Sequence, residues 1–340
     1  MRFVRGLSVA MGLIVAGCAV ATVSPVQPGA PRSATLASLQ QGRNVETQVD
    51  IQRLKDTLAV LSGKTAMASG QTIPERGTVN GRELTRQFIT GTLEASGYTV
   101  ERHKYRTNGE NLMVRLPATT PTDEWIVVGA HMDSVKNAGA NDNGTGTVSV
   151  LEIARLMRQV ENRKVNVLFA WFDEEELGLI GSEYMAAAFK KQGMKISSVH
   201  TIDMMGWDAD KDRAVEIERP DGVLWDYYQM VNKTHGLNLK LARTDSGSTD
   251  HVAFRAAGFP SVGLCEEWEG GDTTPHYHKK TDTWETVDFA YLASTTKLFT
   301  AAVSDLARKV PAPPATKFVP HNKFPGRDHT CGPNHDNHAH

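Results

Sequence analysis

An α/β sandwich of three layers, with helices on both faces of a mixed, largely parallel sheet, is the fold the sequence predicts. Apolar runs of strand length alternate with helix-like stretches over most of the chain. Parallel neighbours need helical crossovers, so this alternation favours parallel strands. Acidic or imidazole side chains recur where an apolar strand gives way to a loop, the edge at which open α/β sheets place their sites.

In chain order the pattern predicts a helix over 45–62 and another over 81–96 that ends at Gly97. Strand-like runs follow in YTVERHKY, NLMVRLP and WIVVGA, then a helix from Gly144 to about Val160. VNVLFAWF reads as a buried strand, residues 181–191 as a helix, and VHTIDMM as a further strand. Helical patterns over 222–235 and 249–257, a buried run PSVGLC and a last helix over 288–309 complete the set. One catalytic domain over 45–310 fits this order, and no repeat period is visible. Residues 18–44, rich in Ala, Pro, Ser, Thr and Gln, read as a flexible tether, and 311–340 as an irregular extension.

The 340 residues are 40% hydrophobic and 22% charged, the balance of an ordinary globular protein with a sizeable core. Lys plus Arg number 37 against 39 Asp plus Glu, so no basic field points to nucleic acid and no acidic excess to disorder. At the N-terminus, MRFVR is cationic and GLSVAMGLIVAG is apolar but too short to span a bilayer. Val15-Ala16-Gly17-Cys18 resembles a bacterial lipobox, which makes 1–17 a lipoprotein signal peptide and Cys18 the lipidated first residue. A secreted protein cut after Ala19 or Ala21 is the alternative. With the anchor, the chain is exported to the bacterial cell envelope and faces the periplasm or cell surface. Cys265 and Cys331 are left to pair or not in an oxidising compartment, and neither sits in a redox motif.

The chemistry-bearing residues gather in five places. WIVVGA runs into His131-Met132-Asp133, the next loop holds Asp142, VNVLFAWF runs into Asp173-Glu174-Glu175-Glu176, VHTI runs into Asp203, and a later loop carries His276 and His278. Carboxylates converging at one sheet edge repel unless cations neutralise them, and mixed imidazole and carboxylate ligation suits zinc rather than calcium or magnesium. Each of these carboxylates, taken alone, is ordinarily a cap or a solvated turn residue. A shared carboxylate suits a two-metal site.

The strings GAHMDS, GANDNGTG, WFDEEELGLIGS, IDMMG and HKKTDT, in this order, resemble the successive motifs of the bacterial leucyl aminopeptidase family of zinc exopeptidases, metallopeptidase family twenty-eight, over residues 81–309. The resemblance implies two zinc ions per chain, with Asp142 as bridge, His131 and Asp203 completing one site, and Glu176 and His278 the other. It further implies Asp133 as the partner of His131, Glu175 as general base, peptides as substrates, and Glu266 near the substrate. Spacing alone leaves the acidic register open by one because of Glu174; Gly178 and Leu179 decide it. The four-residue step to Asp282 favours His278 over His276 as ligand. Asp250-His251 reads as a helix N-terminus capped by Ser248 or Thr249. An aminopeptidase is the expected activity. A glutaminyl-peptide cyclotransferase with one zinc, a carboxypeptidase, and a binding lipoprotein without catalysis are the alternatives.

Overall fold

The computed structural model describes residues 44–309. Among them eight strands form one sheet: β1 (Glu101–Lys104), β2 (Glu110–Leu116), β3 (Glu124–His131), β4 (Asn166–Phe172), β5 (Lys195–Asp203), β6 (Ala214–Glu218), β7 (Lys240–Thr244) and β8 (Ser261–Glu266). Their spatial order is β1-β2-β4-β3-β5-β8-β6-β7. The central β4-β3-β5-β8 strands are mutually parallel, β1, β2 and β4 pair antiparallel, and the parallel pair β6-β7 joins β8 antiparallel. A mixed, largely parallel sheet is therefore what the alternation produced.

Among the described residues seven α-helices accompany it: α1 (Ile51–Leu61), α2 (Val79–Ala95), α3 (Gly146–Met157), α4 (Ile180–Lys191), α5 (Leu224–Thr234), α6 (His251–Ala257) and α7 (Phe289–Arg308). The sheet separates two cores because successive strand residues point to opposite faces. Ile126, Val128, Val167, Phe169, Trp171, Ile202 and Leu264 meet α1, α2, α3, α5 and α7 on one face; Val127, Leu168, Phe172 and Val199 meet Met185 and Phe189 of α4 and Phe254 of α6 on the other. Three layers result.

The expected helix over 45–62 is broken. Val45–Gln48 is a short 3-10 turn, and Asp50 then caps α1 by accepting the N–H groups of Gln52 and Arg53, which holds Asp50 itself in extended conformation. β6 and β7 were not anticipated; Glu216 and Glu218 interrupt the apolar signal of AVEIE, and KLART is a short edge strand. After β3 the chain passes to β4 on one side and, through α4, to β5 on the other. That reversal opens a crevice at the C-terminal ends of three neighbouring parallel strands.

Candidate metal centre

His131 ends β3, Asp203 ends β5, and the Asp173–Glu176 turn follows β4, so the fold alone brings three of the five sequence positions to one crevice. Asp142 comes from the buried segment Ala140–Thr145 that leads into α3. His278 reaches in from the loop before α7, at φ +55°.

Nε2 of His131 lies 3.4 Å from Asp142 Oδ1 and 3.3 Å from Asp203 Oδ1, while Nε2 of His278 lies 3.2 Å from Asp142 Oδ2 and 3.0 Å from Glu176 Oε2. The result is two triads of potential ligand atoms, His131/Asp142/Asp203 and Asp142/Glu176/His278, sharing Asp142. Glu175 Oε2 stands 3.9 Å from His131 Nε2, outside both triads. Glu174 points elsewhere, to Arg82, Arg106 and Tyr105. His276 also stays apart, with Nδ1 against Thr281 and its ring edge-on to Trp207.

Asp133 Oδ1 lies 3.3 Å from Nδ1 of His131, and the Asp133 carboxylate accepts the backbone N–H groups of Glu175 and Glu176, each at 3.2 Å. One side chain thus orients the imidazole and fixes the turn bearing both glutamates. Asp282 does the same for the bridge candidate, accepting the N–H of Asn141 at 2.7 Å and of Asp142 at 3.0 Å. The peptide bond after Asp142 is cis.

Electrostatically the set is short of positive charge. Burial pushes Glu175 well above the usual carboxylate range and Glu176 up to about 7. Burial would raise Asp142 as well, but the imidazoles of His131 and His278 hold it below its ordinary value. Against the pull of burial, the carboxylates around His278 lift it to about 10 and those around His131 lift it well above its usual value. Protons gather on a cluster of this kind wherever cations do not.

Two supports carried no sequence signal. Arg76 is completely buried, and its guanidinium donates to the carbonyls of Met132 at 2.9 Å, Ala138 at 2.5 Å and Gly139 at 2.7 Å, pinning the segments that carry His131 and Asp142. Asp173 is clasped by Arg82 at 3.0 Å and Arg86 at 2.9 Å, both from α2, which anchors the start of the glutamate turn. An isolated arginine in PERGTVN or GRELTR looks like any surface cation until the fold buries it.

Two expectations are corrected. Glu266 is fully buried with both oxygens engaged, Oε1 by Asn141 and Oε2 by the N–H groups of Gly206 and Trp207, so it braces the loop after β5 rather than facing substrate. Neither Ser248 nor Thr249 caps α6; the hydroxyl of Thr249 meets Nδ1 of His251 at 2.9 Å, and Asp250 occupies the cap position with no side-chain cap. Cys265 is buried in β8 with no disulfide partner among the described residues, while Cys18 and Cys331 lie outside them.

The family model for Peptidase family M28 matches residues 111–303. The chain belongs to that family. Among curated M28-like relatives, aminopeptidase YwaD of Bacillus subtilis is 31% identical over 244 residues, covering 70% of this chain and 52% of that protein. The structure of BSAP, a zinc aminopeptidase from Bacillus subtilis, superposes with a TM-score of 0.55 at 29% identity, over 60% of this chain and 51% of that one. The Legionella pneumophila LapA aminopeptidase shares the fold, with a TM-score of 0.69 at 20% identity over 83% of this chain and 78% of that one. The chain spans between about half and two thirds of the length of the first curated relatives it matches.

Proposed function

We propose that this M28 chain is a zinc-dependent aminopeptidase that releases N-terminal amino acids from peptides. The observation that carries the reading is the placement of Asp142 between two imidazoles, each with a second carboxylate beside it, with Glu175 adjacent to but outside both triads. The residues fit two zinc ions: the donors are imidazole nitrogen and carboxylate oxygen, and Asp203 Oδ1 is buried with no hydrogen-bond partner. His131, Asp142 and Asp203 would hold one ion, and Asp142, Glu176 and His278 the other. When bound, such ions polarise the scissile carbonyl and make a water molecule more acidic.

The chain's own groups would do the rest. Glu175 Oε2 is placed to take a proton from the attacking water and to return it to the departing amine. Asp133 fixes the tautomer of His131 and, through the N–H groups of Glu175 and Glu176, the spacing between base and ligand. Arg82 and Arg86 keep Asp173, and with it the turn, from shifting. A carboxylate-rich crevice also favours the free α-ammonium of a peptide N-terminus over a blocked one.

A one-zinc glutaminyl-peptide cyclotransferase would leave one of the two triads without a role. The test is a panel of short peptides, free and N-acetylated, with the zinc-replete protein. Free N-terminal amino acids from the unblocked peptides alone support the aminopeptidase; pyroglutamate from an N-terminal glutamine peptide, with no amino acid released, supports the cyclotransferase.

The division into a signal peptide at 1–17, a tether at 18–44, a catalytic domain at 45–310 and an extension at 311–340 rests on the sequence, as does envelope localisation through a lipid on Cys18. Loss of membrane retention in Cys18→Ser would support the anchor, and unchanged retention would remove it.

A further inference from the structure

Beside Asp203 the sheet carries an unusual polar strip. Strand register places Asp203 next to Cys265, and Cys265 next to Glu216; two residues back, Thr201 is next to Gly263, and Gly263 next to Glu218. Directly paired residues share a face, so these side chains all lie on the side of Val199, where α4 and α6 pack. Over β8 and β6 that face presents small and acidic residues in place of an apolar core.

The carboxylates there are not used up by the fold. Glu216 Oε2 and Glu218 Oε2 are buried without hydrogen-bond partners, as is Oγ1 of Thr201 on the same face. Glu218 is 2% exposed and, among the described residues, its one ionic neighbour is Nδ1 of His251 at 3.9 Å. Both groups sit over Gly263, where an added Cβ would meet Glu218 Oε2 at 2.4 Å. Glu266 shows the contrast, since all its oxygens are matched. The nearby cations are turned away: Arg219 donates to the Asp245 carbonyl, and Lys240 pairs with Asp212 and Glu267.

The loop after β8 closes over this strip. Cys265 places a small thiol between Asp203 and Glu216, and Glu216 Oε1 accepts the N–H groups of Glu269 and Gly270, which ties the following loop to the strip. Trp268 of that loop packs edge-on against Tyr277 at 4.8 Å, and Tyr277 stacks on His278 at 3.8 Å, so a row of aromatic rings links that loop to the metal triads. Two strand spacings, about 10 Å, separate the backbones at Asp203 and Glu216, a span that a long side chain on a residue held at the metals can cross.

We propose that Glu218 and Glu216 form the side-chain subsite of this centre and select peptides whose N-terminal residue is lysine or arginine. The proposal rests on the aminopeptidase reading and names its substrate class. An unpaired buried carboxylate is costly, and an ammonium or guanidinium supplied by the substrate removes that cost in a site shielded from water. Burial holds Glu218 up at about 8 and Glu216 at about 7, and a bound cation would draw both back to the charged form. Neighbouring aromatic faces add attraction for the same cations.

The test measures kcat/KM for the zinc-replete full chain on tripeptides beginning with Lys, norleucine, Arg, citrulline, Leu or Glu. Lys should exceed norleucine, and Arg citrulline, by about tenfold or more, mainly through KM. Glu218→Gln should bring both ratios to within about threefold of unity. Each ratio is read within one preparation, so a lower folded fraction does not move it. A wild type that prefers the neutral isosteres, or a Glu218→Gln variant that keeps the wild-type ratios, would overturn the proposal while leaving the aminopeptidase intact. Release from none of the peptides would overturn both.

Discussion

Asp142 turns Oδ2 to Nε2 of His278 at 3.2 Å while its other oxygen faces His131, so one carboxylate belongs to both halves of the centre. Asp142→Asn should therefore lower bound zinc in both halves, whereas His278→Ala should lose close to one ion of two. Zinc per chain by emission spectroscopy reads the difference, and amino-acid release should fall about a thousandfold in Asp142→Asn. Retention of both ions by Asp142→Asn would remove the bridge.

Arg76 holds three loop carbonyls behind the centre, and burial works against its charge while Asp282, Asp142, Asp133 and Glu176 sustain it. Arg76→Met should destabilise the fold by about 3–5 kcal/mol, because it strands buried acceptors and removes a paired buried charge. Urea unfolding measures this. A loss under about 1 kcal/mol would show that the loops hold without it.

His235 joins Glu46, before α1, to Asp305 in α7: Nδ1 lies 2.8 Å from Glu46 and Nε2 3.0 Å from Asp305. The hydrogen bonds to Asp305 and Glu46 lift the imidazole from 6.5 to about 9. A raised folded-state value means that this contribution is complete below about pH 6.5 and disappears as pH rises through about 9. Wild type should lose about 1–2 kcal/mol more than His235→Gln between those limits, after discounting for solvent screening. Denaturant titrations at several pH values would show it, and parallel curves would exclude it.

Gly181, in the first turn of α4, leaves no room for a side chain: an added Cβ would lie 2.1 Å from the Asp173 carbonyl oxygen and 2.4 Å from Asn111 Oδ1. Gly181→Ala should push back the turn that carries Glu175 and Glu176, costing about 2 kcal/mol and lowering kcat. At Gly91 an added Cβ meets nothing within 4 Å, so Gly91→Ala in α2 should instead stabilise by about 0.5–1 kcal/mol. Equal effects at the two glycines would show that the close approach at Gly181 is not limiting.

The legible parts of this fold were those whose local pattern and final environment agree. β3 and β4 are apolar on both faces, and both faces are buried. The positions of His131, Asp142, Glu176, Asp203 and His278 followed from ordered strings, and the structure brings all five together. β6 escaped because its apolar/polar alternation spans only Val215 to Glu218, and Glu216 and Glu218 lie buried on the polar strip proposed to receive substrate. Sequence reasoning expects local consistency, and sites are where a chain departs from it. Arg76, Arg82 and Arg86 escaped for another reason: their work is to bind groups distant in sequence, and nothing near them signals burial.

The most direct measurement is kcat for amino-acid release by Glu175→Gln beside wild type, with zinc quantified in both. Glu175 stands outside both triads, so the variant should keep two zinc ions per chain and lose at least about a thousandfold in kcat. Wild-type turnover in the variant, or loss of zinc in proportion to activity, would contradict its role as the base.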